Sequence, residues 1–107
     1  MDPHAQRRLR GHLEQIDYAA FAANREVIGK TIGHVDIAKF QHIAVAAACA
    51  RAQWVAEALA ASEASPSLSQ AQVTRLTHLR ATFEELTEVY EAMRRMVERG
   101  YLPYRAP

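Results

Sequence analysis

The residues best suited to hold a metal ion are five histidines and one cysteine. Di-metal helical bundles use Glu-x-x-His pairs on inward faces, and no glutamate in this sequence has a histidine three residues later. His42 and Cys49 share a helical face but lie about 10 Å apart along the axis, too far for one ion. We therefore expect no metal or other cofactor. The alternative is a metal- or haem-binding bundle in which side chains converge from different helices: His12, His34, His42 and His78.

Two further motifs have a structural explanation that is simpler than a chemical one. Gly29-Lys30-Thr31 resembles the end of a phosphate-binding loop, but that motif needs a glycine at the position of Asn24 and a preceding strand. A turn that ends a helix explains it better. Cys49 lies among alanines, which is typical of a buried small hydrophobic residue rather than a reactive thiol. We therefore predict no catalytic residues.

Two clusters are candidate interaction sites. Arg7, Arg8 and Arg10 place three cations near the start of a helix, where they slightly oppose the helix dipole. They are expected to be solvated or to pair with acids, in the same chain or across a dimer, and the alternative is that they bind an acidic partner, RNA or a phosphate. The candidate acids are Glu84, Glu85, Glu88 and Glu91. The tail residues Tyr101, Leu102 and Tyr104 either dock on a partner or fold back over the end of the domain.

The clearest element in the chain is a long third helix, expected over about residues 68–99. Ser67 and Gln70 have the spacing of a capping box at its start. Gly100 is suited to the left-handed ending of a Schellman motif, with Tyr101 packing back on Met96. The apolar residues recur at steps of 3 and 4, which predicts a seam that seeks another helix. That seam comprises Leu76, Leu79, Phe83, Leu86, Tyr90, Met93 and Val97.

Two more helices precede it, at about residues 3–30 and 37–62. The first has Asp2 and Pro3 as its opening and ends at Gly29 or Gly33. Its seam repeats the 3 and 4 steps: Leu9, Leu13, Ile16, Ala20, Ala23 and Val27. The second follows an N-cap at Asp36 and holds twelve alanines between positions 38 and 64. Being apolar all round, it is expected to pack on more than one side.

The bulk properties limit the function classes. The net charge of +1 gives no overall attraction to nucleic acid or membranes, and one cysteine excludes an intrachain disulfide. No run of 18 apolar residues and no secretory signal occur, so we expect a cytoplasmic protein without membrane insertion. The excess of arginine over lysine, eleven to two, and the abundant alanine are typical of GC-rich bacterial genomes.

In helix number alone, the predicted plan resembles the small all-α dimers among the chorismate mutases. Their sites are cages of arginine and lysine around a dicarboxylate, and that family's residue pattern and terminal glutamine have no counterpart here. The likeness therefore implies a fold analogy, not membership, and the alternative function that it suggests is a small-molecule enzyme of the mutase kind with an arginine and lysine cage. The cage residues would be Arg8, Arg25, Lys30, Lys39 and Arg51.

The prediction is a single all-α domain over residues 1–100 with a tail at 101–107. Three long helices form an up-down-up bundle, completed by a homodimer, because the third helix at roughly 45–50 Å exceeds the roughly 34 Å of a compact chain of this length. We expect a non-enzymatic interaction or scaffold module that binds itself or a helical protein. The predicted core comprises Leu13, Ile16, Ala20, Phe40, Ile43, Ala47, Trp54, Leu76, Leu79, Phe83, Leu86, Tyr90 and Met93.

Overall fold

A computed structural model describes residues 2–107 and shows an all-α chain of three long helices. They are α1 (Pro3–Ile32, 30 residues), α2 (Ile37–Ala64, 28 residues) and α3 (Gln70–Glu98, 29 residues). The predicted bounds differ from these by no more than two residues. Across the described part of the chain the only extended pairing is a single parallel bridge between Val35 and Tyr104.

The ends of α1 follow local sequence signals. The Asp2 carboxylate accepts a hydrogen bond from the Ala5 backbone N–H at 2.8 Å, with Pro3 in the first turn. The helix runs through Gly29 and ends at Gly33, whose φ of +84° is in the region that glycine favours. Of the two predicted stops, Gly33 is therefore the one used. Asp36 then caps α2 by accepting from the Lys39 backbone N–H at 3.0 Å.

The start of α3 corrects the predicted capping box by two residues. The Ser69 hydroxyl accepts from the Gln72 backbone N–H at 3.1 Å, and the Gln72 side chain accepts from the Ser69 N–H at 2.8 Å. Ser67 and Gln70 have the same spacing, so the pattern alone does not choose between the two boxes. At the other end, the Tyr101 N–H donates to the Met96 carbonyl at 2.9 Å and the Gly100 N–H to Val97 at 3.1 Å, which is the predicted Schellman ending.

Helices α2 and α3 form an antiparallel pair, joined by a short serine-rich loop. Their aromatic side chains mark the register. Trp54 stacks on Phe83 with ring centroids 6.0 Å apart, and Phe40 meets Tyr90 edge-on at 5.6 Å. The line along α2 that faces α3 is Phe40, Ile43, Ala47, Ala50, Trp54, Ala58 and Ala61, and all of these are buried or half-buried.

Helix α1 lies outside this hairpin. No Cα atom of α1 comes within 8 Å of a Cα atom of α2 or α3. The chain measures 71 × 42 × 18 Å and its radius of gyration is 21.8 Å, against about 13 Å for a compact chain of this length. The structure therefore does not confirm that α1 completes an up-down-up bundle within one chain.

The predicted core is wrong for α1. Leu13, Ile16 and Ala20 are exposed, because no other element of the described chain covers that face. The predicted core residues of α2 and α3 are half-buried, since each helix has one neighbour and one open side. Only Val35, Ala50 and Leu102 are buried hydrophobic residues in residues 2–107.

The loop at residues 33–36 and the tail at residues 101–105 are bonded to each other at the end of α1. We call these two segments the clasp. Val35 and Leu102 are each 1% exposed. The Val35 N–H donates to the Pro103 carbonyl at 2.9 Å, and the Arg105 N–H donates to the Val35 carbonyl at 2.8 Å. Nearby, the Phe21 ring lies 5.8 Å from the Tyr101 ring. These contacts set the direction in which α1 leaves the hairpin.

Candidate interaction surface

The first half of α1 presents an unpartnered apolar line to solvent. Every residue from 6 to 20 is exposed. Leu9 is 43%, Leu13 49% and Ile16 63% exposed. We call these three residues the α1 seam, the first part of the predicted heptad line. Burying a fully exposed side chain of this kind is worth about 1.5–3 kcal/mol, so covering the part of each side chain that remains exposed would be favourable.

A shallow apolar groove runs between α2 and α3. Small side chains on α2 form one wall and larger ones on α3 form the other, which allows a third helix to approach closely. The residues that line this groove are Ala44, Ala47, Ala48, Arg51, Phe83, Thr87 and Tyr90. The Arg51 guanidinium lies 4.7 Å from the centre of the Phe83 ring, which places its charge at the rim. The groove accepts apolar side chains and offers little for a polar ligand.

Charged residues border both surfaces. Arg8 and Arg10 flank Leu9 on α1, while Glu84 and Glu91 precede and follow Thr87 by one turn on α3. Within residues 2–107 the ion pairs are Lys30–Glu26, Arg75–Glu57 and Arg80–Glu84. None of them involves the predicted cluster of Arg7, Arg8 and Arg10. The expected pairing of these cations with α3 acids therefore does not occur inside one described chain.

The predicted tail residues have a different place. Leu102 is enclosed in the clasp, and Tyr101 packs against Phe21. Tyr104 is 43% exposed, with its ring 6.4 Å from Phe40. The tail thus takes the second of its two predicted courses and folds back over the end of the hairpin.

The residues considered for metal, thiol or phosphate chemistry do not assemble. In the described residues no three His, Cys, Asp or Glu side chains lie close enough to hold a metal ion. Cys49 is exposed, which corrects the expected burial: it lies on the side of α2 that faces away from α3. Gly29-Lys30-Thr31 lies inside α1 and not in the predicted turn, because the helix continues to Ile32, and Lys30 bonds to Glu26 at 2.9 Å.

The five arginine and lysine residues of the cage that the chorismate mutase analogy implies lie apart from one another. Lys39 donates to the His34 carbonyl at 2.6 Å, and Arg51 lies over Phe83. Arg8, Arg25 and Lys30 belong to α1, which does not run beside α2. The five cations therefore do not meet around one cavity in a single chain.

Sequence reasoning missed the parts of this surface that depend on neighbours. Val35 lies between the first two predicted helices, outside the predicted core, yet it is one of the most buried residues. Ala44 and Ala48 lie one helical turn apart, and this spacing of small residues indicates a surface on which another helix can pack closely. The sequence gives no indication that Thr87 belongs to the same surface. Comparison with protein-family models, with curated proteins and with solved structures finds no match.

Proposed function

We propose that this chain is a non-enzymatic protein–protein interaction module that completes a helical bundle by associating with itself or with a helical partner. One observation carries the proposal: the α1 seam is exposed along its whole free length. On soluble proteins a contiguous apolar patch larger than a few hundred Å² marks an interaction site.

The form of the surface indicates the kind of partner. A seam with steps of 3 and 4 fits a second helix, because that spacing keeps apolar groups on one side of a helix. The rim charges favour a partner with complementary charge.

We further propose that the module acts in the cytoplasm. By length and composition α2 is long and apolar enough to cross a membrane, with a mean hydropathy of 1.3 over 18 residues. However, every 18-residue window of α2 contains Arg51, and α2 packs along α3, which carries nine charged residues. Charges at the bilayer centre are costly. Alanine, rather than large apolar side chains, raises the hydropathy of α2.

The test replaces the α1 seam and keeps a matched control on the opposite face. The double variant Leu13→Glu/Ile16→Glu should abolish association, measured by sedimentation velocity for the chain alone and by binding to candidate helical proteins. Tyr18→Glu, on the opposite face of the helix and 70% exposed, should leave it intact. The proposal is wrong if the wild-type chain is a monomer at all concentrations and the seam variant binds the same proteins as the wild type.

A further inference from the structure

We infer that the occupant of the groove is α1 of a second copy of this chain, so that two copies exchange their α1 helices reciprocally. The inference rests on the proposed function and names its partner. Such an interface is isologous: each copy supplies one α1 seam and one groove, and the two contacts are identical by twofold symmetry.

The exposed area has the size that a stable dimer needs. The chain exposes 8144 Å², whereas a compact chain of 12.0 kDa exposes about 6,000 Å². Each copy therefore carries roughly 2,100 Å² beyond a compact monomer. Burying that excess on both copies gives about 4,000 Å² in total, within the range of obligate homodimers.

The clasp explains why the occupant is not α1 of the same chain. Only residues 33–36 separate α1 from α2, and Val35 in that connection is bonded on both sides to the tail. Folding α1 back over its own groove would break those bonds and expose Val35 and Leu102. A second copy covers both surfaces without this loss.

Length and charge agree with the exchange. The α1 seam from Leu9 to Ile16 is about 10 Å long, and the α2 wall of the groove from Ala44 to Arg51 is also about 10 Å long. Arg8 and Arg10 lie on opposite sides of the α1 seam, so one of the two faces the α3 wall of the partner's groove, where Glu84 and Glu91 lie. Glu84 also pairs with Arg80 at 3.5 Å, and the Arg51 guanidinium lies at the α2 wall. The rim acids Glu84 and Glu91 have the opposite sign, which favours this arrangement over seam-to-seam contact between two α1 helices.

The first experiment measures the dimer dissociation constant of full-length variants by sedimentation equilibrium. Leu13→Glu/Ile16→Glu and the groove variant Ala48→Trp should each weaken the dimer, the former by about 100-fold or more. At 50 mM salt, Arg8→Glu/Arg10→Glu should weaken it by about tenfold, and Arg7→Glu, which points away from the seam, should not. Adding Glu84→Arg/Glu91→Arg to the Arg8→Glu/Arg10→Glu chain should restore the dimer.

A second experiment uses cross-linking to test whether the α1 seam of one copy lies against the groove of another. In a Cys49→Ser background, single-cysteine chains carrying Leu9→Cys, Leu13→Cys or Ile16→Cys are each mixed with an Ala48→Cys chain and treated with a short bis-maleimide. A cross-linked heterodimer is expected with at least one of them and not with Tyr18→Cys, which lies on the opposite face of α1.

The outcomes separate the inference from the function it rests on. A dimer that survives Leu13→Glu/Ile16→Glu and gives no cross-link overturns the exchange but leaves self-association standing. A wild-type monomer that binds a different helical protein through the α1 seam overturns the second copy and leaves the interaction module standing. A wild-type monomer that binds nothing overturns both.

Discussion

Helices α1 and α3 have the same seam spacing and similar lengths, but opposite surroundings. The α3 seam is half-buried along its length because α2 lies beside it. The α1 seam is exposed because α1 is held only at its C-terminal end. Heptad spacing thus identifies a face that will pack on a helix and does not say whether that helix is in the same chain.

The largest expected effect comes from the point where α1 is anchored. Leu102→Ala removes one of the two most enclosed side chains and should lower the free energy of unfolding by about 2–5 kcal/mol. Urea denaturation measures the loss. Limited proteolysis should also show earlier cleavage between residues 25 and 34, where α1 joins the clasp. An unchanged midpoint would show that the clasp does not hold α1.

The second largest effect is expected when the contributions of the α3 seam and the α1 seam to the free energy of unfolding are compared at a concentration where the chain is monomeric. Phe83→Ala should cost about 2 kcal/mol, less than the about 3–5 kcal/mol of a fully buried phenylalanine, because Phe83 is half-buried against Trp54. Leu13→Ala should cost almost nothing under the same conditions. Equal losses would contradict the difference between α1 and α3.

The smallest expected effect concerns the helix starts. Ser69→Ala should lower the free energy of unfolding by about 1 kcal/mol, since it removes the cap of a packed helix. Ser67→Ala, at the alternative box, is the matched control and should change little.

Asp2→Ala removes an equivalent cap from the free end of α1. Hydrogen exchange should show local fraying of α1 with no shift of the global denaturation midpoint.

The candidate surface was predictable in part. Arg7, Arg8 and Arg10 were identified as an interaction cluster, and the structure leaves them without an ion pair in the described chain. Their role as binding residues stays a prediction. The groove was not predictable, because its walls come from residues some 40 positions apart in sequence, such as Ala44 and Phe83. The enclosure of Leu102 likewise depends on a loop far from the tail.

The sequence by itself determined the three helices and most of their ends. Caps such as Asp2 and Asp36, and the Schellman ending at Gly100, depend on groups within about five residues of one another, so the local chain suffices. Only the tertiary structure decided which seam is covered. That choice depends on the direction in which α1 leaves the clasp, set by the backbone at Gly33 and by bonds between Val35 and the tail. Burial is a property of neighbours, and spacing along one helix does not specify them.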